Sequence, residues 1–205
     1  MAAMADLGPG RVTMAEVARR AGVSRMTVYR RYDSLDAVVS AALTAEMAAV
    51  VAAVADGVPR DGTARERVVA EAAGTVAALV EHTLLQRVLE VDPASLLPLL
   101  VERLGAGQQL LREFLAAEVE LGIAPRGGDG SIRAADPRLL SLTVLTMCQQ
   151  FVVGMRPLRE EFADRQLIAE LERAVDRYLA PDAAASQPHS ASDTARTKPH
   201  REATP

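Results

Sequence analysis

Cysteine and the aromatic residues are scarce in this sequence of 205 residues. The single cysteine, Cys148, excludes an internal disulfide and suits a reducing compartment. Tryptophan is absent and there are only three phenylalanines and three tyrosines, so a core must consist mostly of Ala, Val and Leu, which favours helices. The longest uninterrupted apolar run, Met47–Ala55, is far shorter than the roughly 20 residues of a membrane span, and no signal peptide is recognisable. We therefore expect a cytoplasmic protein with no membrane partner.

The groups that mark catalytic and metal sites are also missing. The three histidines, His82, His189 and His200, do not cluster, and one cysteine offers no metal-ligand spacing. The sequence contains no Gly-x-Ser-x-Gly motif and no phosphate-binding glycine loop. We therefore predict no cofactor, no metal ion and no catalytic residue, and expect that the protein is not an enzyme.

Positive charge is concentrated at the beginning of the chain. The whole chain has a net charge of −4, but residues 1–32 carry six arginines against two acidic residues. That segment therefore carries +4, and the remaining 173 residues carry −8. A basic segment on an acidic body is typical of proteins in which only that segment approaches phosphates, although a solvated basic face gives the same pattern.

Capping residues followed by apolar periodicity predict an all-α fold. Thr13 with Glu16, Ser24, and Thr63 with Glu66 are typical signals for the start of a helix. The glycine-rich stretch 122–135 is predicted to be a flexible surface loop, and Pro157 to stop or kink a helix. The predicted helices cover about residues 14–21, 25–32, 35–55, 64–81, 84–90, 94–121, 137–155 and 164–179.

The first two predicted helices form a helix-turn-helix, because Gly22 suits the sharp turn between them. The predicted apolar contact between the helices is made by Val17, Ala18, Ala21, Val23 and Val28. The exposed side of the second helix then carries Arg25, Met26, Thr27, Tyr29, Arg30 and Arg31. Side chains near the start of such a helix reach base edges, while Arg, Tyr and Thr groups fit phosphates.

This segment resembles the TetR family of transcriptional regulators. The run 13–43 matches the family pattern, especially in the sequence Ala21-Gly22-Val23-Ser24 and at Thr27, Tyr29 and Ser34. The rest of the chain is similar to the family in layout, with a long connecting helix, a regulatory body and two C-terminal helices. The resemblance implies three parts, a helix-turn-helix domain in residues 1–45, a ligand-binding and dimerisation domain in 46–180, and a disordered tail in 181–205.

The sequence departs from the family pattern at two places. Leu35 stands where the family often has a lysine that faces the phosphates. Only Met1–Leu7 stand where the family normally has a full first helix, so we expect either a weakened head that opens easily or, as the preferred explanation, a start codon further upstream.

The resemblance implies contacts with DNA for particular residues. Tyr29 matches a tyrosine that usually touches a phosphate, and Arg25 and Met26 fall where base readers are found. Thr13 and Ser24 match residues that cap helices near phosphates, and capping alone is an equal alternative for them. The predicted DNA-binding residues are Thr13, Ser24, Arg25, Met26, Thr27, Tyr29, Arg30 and Arg31.

In TetR-like proteins the last two helices pair with those of a second copy, so the resemblance implies a homodimer. Two recognition helices would then lie about one DNA turn apart, ~34–36 Å, on a palindromic double-stranded operator. The apolar stripes of these helices serve the core first, and also provide the predicted dimerisation residues Phe151, Ile168, Leu171, Val175 and Tyr178.

A small-molecule effector is expected among the middle helices. The predicted ligand contacts are His82, Arg112, Met147 and Gln150, each of which also fits a surface or structural role, while Cys148 is expected to be an inert core thiol. The leading hypothesis is a repressor that the effector releases from DNA. The alternative is a ligand-binding or dimerisation protein whose shortened head no longer binds DNA.

Overall fold

The computed structural model describes residues 13–91, 93 and 105–182. The predicted first-helix fragment and the predicted disordered tail from 183 onward lie outside the described residues. The all-α prediction is confirmed, since an isolated bridge between Ile123 and Ile132 is the only strand-like pairing in the described parts. The helices are α1 Met14–Arg20, α2 Arg25–Arg31, α3 Leu35–Gly57, α4 Ala64–Val80, α5 Thr83–Val91, α6 Ala106–Glu120, α7 Pro137–Leu158 and α8 Asp164–Leu179.

Helices α1 to α4 begin where the capping signals predict. The side chains of Thr13, Ser24 and Ser34 each accept a hydrogen bond from the backbone N–H three residues later. Thr63 and Glu66 form a complete capping box, in which the Thr63 N–H also donates to the Glu66 carboxylate at 2.8 Å. Each cap satisfies a backbone group that the first helical turn leaves without a partner.

The predicted helix over 94–121 is wrong as one continuous element. Gly105 has an extended backbone and serves as the N-cap of α6, which begins at Ala106. The Gly105 N–H donates to the side chain of Gln108 at 2.6 Å, a capping contact that ends any helix running in from earlier residues. The stretch 94–104 lies outside the described residues.

Pro157 does not stop α7, which continues to Leu158. Proline lacks only its own N–H, and the Arg159 N–H still donates to the Met155 carbonyl at 3.0 Å to close the last turn. The predicted end near residue 155 is therefore about one turn too early.

The segment between α6 and α7 is anchored to the body rather than a flexible surface loop. Ile123 and Ile132 are 1% and 2% exposed, because both insert into the core of the body. The Asp129 carboxylate accepts hydrogen bonds from the N–H groups of Ala64, at 2.7 Å, and Ser131, at 2.9 Å. The prediction of a flexible loop rests on glycine content alone and is wrong, because the two isoleucines bury apolar surface in the body.

The larger core lies where α4, α6, α7 and α8 pack together, which we call the body core. Two predicted dimerisation residues, Leu171 and Val175, are 0% exposed within a single chain, because α8 packs this face against the rest of the body. Their assignment to an interface between chains is therefore wrong. Phe151, Ile168 and Tyr178 are only partly buried, so a role in dimerisation stays a prediction for these three.

Two helices are long and apolar enough to cross a membrane, by length and composition alone. They are α3 and α7, and α4 with α5, bent by 61° at their junction, would be a third such stretch. A search for uninterrupted apolar runs overlooks them because isolated polar residues divide each helix. In the structure α3 packs against α4 and α6, and α7 packs against α4, α6 and α8.

Four charged side chains cluster where the chain passes from α3 into α4. Arg60 lies 3.5 Å from Glu71 and 3.3 Å from Glu118, and it donates to the carbonyl of Ala55 at 3.3 Å. Arg67 lies 3.4 Å from Glu118. Glu71 is 4% exposed, and its Oε2 atom has no hydrogen-bond partner. Burial, and then the neighbouring Glu118 carboxylate, raise the pKa of Glu71.

Replacing Glu71 with glutamine should stabilise the protein at neutral pH. A raised pKa means that the folded state holds the proton more tightly, so ionisation opposes folding at pH values above the ordinary carboxyl pKa of 4.5. We expect Glu71→Gln to raise the unfolding free energy by about 1 kcal/mol at pH 7, with a gain that shrinks as the pH falls toward 4.5. Thermal unfolding at several pH values measures this, with the exposed Glu172→Gln as control. Equal stability of Glu71→Gln and the unmodified protein at pH 7 would contradict the assignment.

Leu171→Ala should destabilise the single chain. Truncating a fully buried leucine leaves a cavity and costs about 2–5 kcal/mol. Urea denaturation should show this loss, while Leu158→Ala, at a leucine that is 43% exposed, should change stability far less. If Leu171→Ala separated dimers into monomers of undiminished stability, Leu171 would belong to an interface after all.

Candidate DNA interface and effector cavity

Helices α1 and α2 are joined by the tight turn that the sequence predicts. Gly22 has a φ of +67°, a conformation that residues with a β-carbon rarely adopt. The Val23 N–H then donates to the Ala18 carbonyl at 3.1 Å, which closes the turn onto α1. Residues 13–32, which we call the head, thus form a helix-turn-helix.

The head holds together through fewer apolar residues than expected. Ala18 and Val28 are 1% and 6% exposed, as predicted, and Val17 is partly buried. Ala21 and Val23 are exposed, so their predicted place in the contact between the helices is wrong. They fall in and beside the turn, which carries them away from the contact, and Met14 at 8% exposure supplies apolar surface instead.

The predicted DNA-binding residues lie together on the outside of the head. Tyr29 is 55% exposed and Met26 is 75% exposed, values that are unusual for large side chains without a partner surface. All eight are exposed in the structure, namely Thr13, Ser24, Arg25, Met26, Thr27, Tyr29, Arg30 and Arg31. Capping occupies the hydroxyl oxygens of Thr13 and Ser24, and the Ser24 hydroxyl also lies 2.8 Å from that of Thr27.

Ion pairs leave the positive charge of α2 available. On α1, Glu16 accepts hydrogen bonds from Arg19, at 2.9 Å, and from Arg20, at 2.7 Å. These hydrogen bonds lower the pKa of Glu16 to about 2, so its carboxylate stays ionised and balances charge on α1. By contrast Arg25 and Arg30 form no ion pair within the part of the chain that the structure describes. Helix α1 therefore carries a net charge of +1 and α2 one of +3, so most of the positive charge of the head lies on α2, the helix placed to enter a groove.

A cavity lies inside the body, with a volume of about 110 Å³. This is somewhat less than the roughly 150 Å³ of an apolar protein cavity that holds benzene. Its wall is nearly all apolar, and its described lining contains no charged residue. The lining is made by Ser40, Leu43, Thr44, Met47, Thr75, Val76, Leu79, Leu85, Gly105, Gly107, Gln108, Leu111, Leu145, Cys148, Gln149, Val152 and Val153. We call it the inner cavity.

None of the four predicted ligand contacts lines the inner cavity. His82 lies 3.3 Å from Glu46, and Arg112 lines a polar cleft on another face of α6. Met147 packs against the body core and Gln150 is exposed, while their neighbours Cys148 and Gln149 face the cavity. Of the four predicted contacts, the two on α7, Met147 and Gln150, each lie one position away from a residue that lines the cavity. Burial raises the pKa of Cys148 to about 12, which leaves it a poor nucleophile at neutral pH.

The inner cavity and the head share a wall. Leu43, Leu79 and Leu85 line the cavity and also belong to the apolar cluster that contains Met14, Ala18 and Val28 of the head. This cluster, which we call the joint cluster, links buried residues of α1 and α2 with buried residues of α3, α4 and α5. A change in the volume of the cavity therefore acts on residues that hold the head in place.

The fold and the exposed basic helix define a DNA-binding transcriptional regulator of the helix-turn-helix class. Residues 1–42 match the model of the family described as "Bacterial regulatory proteins, tetR family". Over 174 residues the chain is 37% identical to uncharacterized HTH-type transcriptional regulators of Mycobacterium bovis and Mycobacterium tuberculosis. These alignments cover 85% of this chain and 87% of each relative. The chain belongs to the TetR family.

Solved structures share the fold at low sequence identity. The repressor QsdR of R. erythropolis superimposes with a TM-score of 0.65 at 17% identity, covering 87% of this chain and 89% of QsdR. FadR of Bacillus subtilis, solved with stearoyl-CoA, gives 0.57 at 13% identity, covering 86% of this chain and 93% of FadR. The helix-turn-helix head and helical body are therefore the common architecture.

Tyr29→Phe should weaken DNA binding similarly for all sequences. The substitution removes one phosphate hydrogen bond and leaves the ring in place, so we expect a loss of about 1 kcal/mol. Fluorescence anisotropy with labelled operator and with unrelated duplexes measures this loss, and Arg165→Gln, at an exposed arginine of α8, serves as control. A loss confined to the operator would mean that Tyr29 reads bases.

Proposed function

We propose that the protein is a repressor that binds a palindromic operator as a homodimer and leaves it when a small apolar molecule enters the inner cavity. It acts in the cytoplasm, neither as an enzyme nor with a membrane partner. The observation that supports this most strongly is the shared wall, since Leu43, Leu79 and Leu85 touch both the cavity and the joint cluster. A ligand that binds one arrangement of this wall better than another shifts the head between arrangements.

The proposed boundary between the two domains lies within α3. Residues 1–45 bind DNA, and residues 46–180 bind the effector and a second copy. Helix α3, Leu35–Gly57, runs through this boundary without a break. Its first part contributes Val38 and Val39 to the joint cluster, while Thr44 and Met47 line the inner cavity. One rigid element thus connects ligand and head.

Proteins of the same fold support a ligand-controlled function. FadR was solved with stearoyl-CoA, and AibR, with a TM-score of 0.51 at 15% identity over 85% of this chain and 92% of AibR, was solved with isovaleryl coenzyme A and operator DNA. In this chain the apolar inner cavity lies between α3, α4, α6 and α7. Its small volume favours a short or slender apolar group.

The proposed dimer contact uses the outer face of α7. Leu139, Thr143, Thr146 and Gln150 recur at helical spacing on the side opposite the buried Leu140 and Val144. The hydroxyls of Thr143 and Thr146 donate to the carbonyls one turn earlier, at 3.0 and 2.8 Å. With their hydroxyls satisfied, these threonines present methyl groups, so the face is more apolar than its composition suggests. Phe151, Ile168 and Tyr178 would contribute from its flanks.

Leu139→Glu should disrupt the dimer without unfolding the chain. Leu139 is 58% exposed, so the new carboxylate stays solvated in a monomer but would be buried without a partner in the dimer. We expect monomers by light scattering and weaker operator binding. Leu110→Glu is a matched control, because Leu110 on α6 is also 58% exposed. If Leu139→Glu and Leu110→Glu both remained dimeric, the interface would lie on a different face from the outer face of α7.

Binding to the DNA upstream of the protein's own gene tests the function directly. We expect a gel shift and a footprint of two half-sites about one turn, ~34–36 Å, apart. The double substitution Arg25→Gln with Arg30→Gln should abolish the shift, whereas Arg165→Gln, an exposed arginine of α8, should not. A dimer that binds no duplex at low salt would instead indicate a ligand-binding protein without DNA-binding function.

A further inference from the structure

A second cavity adjoins the inner one. Its volume is about 300 Å³, and it lies between the end of α4, helix α5 and the C-terminal part of α7. We call it the outer cavity. Its lining consists of Val80, Gln86, Leu89, Pro93, Val152, Val153, Met155, Arg156, Pro157 and Arg159.

The two cavities are neighbours along all three helices. Val152 and Val153 of α7 line both of them. On α4 the inner cavity has Leu79 and the outer cavity has the next residue, Val80, and on α5 Leu85 is followed in the same way by Gln86. The two cavities therefore share a stretch of wall at Val152 and Val153.

Helix α7 gives the combined space its direction and length. Leu145, Gln149, Val152 and Arg156 recur at helical spacing on one face, with the first two in the inner cavity and Arg156 in the outer one. From Leu145 to Arg156 the helix rises about 16 Å, at 1.5 Å per residue. This length matches an extended molecule rather than a compact one.

Charge distinguishes the two ends. The inner cavity has no charged residue in its described lining, whereas the charged residues in the described lining of the outer cavity are two arginines. Arg159 is held by Asp164 at 2.6 Å and Glu81 at 3.4 Å. Among the described residues, the one ion-pair partner of Arg156 is Glu90, at 4.0 Å, and the Arg156 side chain is 59% exposed. Of these two arginines, Arg156 is therefore the one with more N–H donors available to a ligand. The Gln86 amide lines the same cavity.

We propose that the two cavities form one elongated site for an amphipathic anion, with a slender apolar chain in the inner cavity and an anionic head group at Arg156. This inference rests on the proposed function and names the chemical class of its effector. The head group is a carboxylate or a phosphate, since a guanidinium binds either through paired N–H donors. A neutral molecule of the same length fills the apolar space but leaves Arg156 unused.

Isothermal titration calorimetry on the full chain tests the proposal with three probes of equal chain length, decanoate, 1-decanol and decanoyl-CoA. We expect decanoate, decanoyl-CoA or both to bind at least about tenfold more tightly than 1-decanol. Arg156→Gln should remove that advantage and leave 1-decanol unaffected. Arg165→Gln, which alters an exposed arginine outside both cavities, should change nothing. Decanoate binding would identify a carboxylate, and binding by decanoyl-CoA alone would identify the phosphates.

A second variant tests the passage between the cavities. Val153 is only partly buried and lines both spaces, so a larger ring at this position narrows the junction with little strain. Val153→Phe should weaken decanoate or decanoyl-CoA at least about tenfold while circular dichroism stays unchanged. If neither decanoate nor decanoyl-CoA bound more tightly than 1-decanol, or if Arg156→Gln kept full affinity for the anion, the elongated site would be overturned. Operator release by 1-decanol would in that case leave the proposed function intact.

Discussion

The packing of the joint cluster is the constraint on which the rest of this structure depends. The head is too small to bury much apolar surface of its own, since Met14, Ala18 and Val28 are its only fully buried apolar residues among those described. It gains its place from leucines and valines of α3, α4 and α5, so that the geometry of the body fixes the geometry of the head. A regulator built in this way cannot alter the wall of its cavity without altering the support of its recognition helix.

The cavity is well suited to act on that support because it is almost entirely apolar. Core side chains are close-packed, so a group that enters the cavity must displace the surrounding side chains or stabilise a different arrangement of them. Leu43, Leu79 and Leu85 are the neighbours that matter, because they line the cavity and also belong to the joint cluster. On this account the ligand needs no contact with the head. It shifts the position of the head if it binds one arrangement of the cavity wall more tightly than another.

The sequence predicts the parts of this molecule that local chemistry determines. Thr13, Ser24 and Thr63 mark the helix starts because a cap is made within one turn, and Gly22 marks the turn because its backbone conformation requires glycine. The sequence does not predict the features that depend on packing between distant helices. An apolar stripe such as that of Leu171 has the same spacing in a core helix as in a helix at an interface. The sequence pattern also does not distinguish the residues that line a cavity from their neighbours.

Filling the inner cavity through its own cysteine tests the coupling of cavity and head most directly. Cys148 is the one cysteine of the chain and lines the cavity, so an alkyl methanethiosulfonate that attaches a butyl group there occupies the space without an identified effector. The reaction needs alkaline conditions, because the pKa of Cys148 is raised to about 12. With circular dichroism unchanged, the account predicts that the butylated protein loses operator affinity at least about tenfold, that dithiothreitol restores it, and that Cys148→Ser does not respond. Undiminished operator affinity in the fully butylated protein would contradict the coupling.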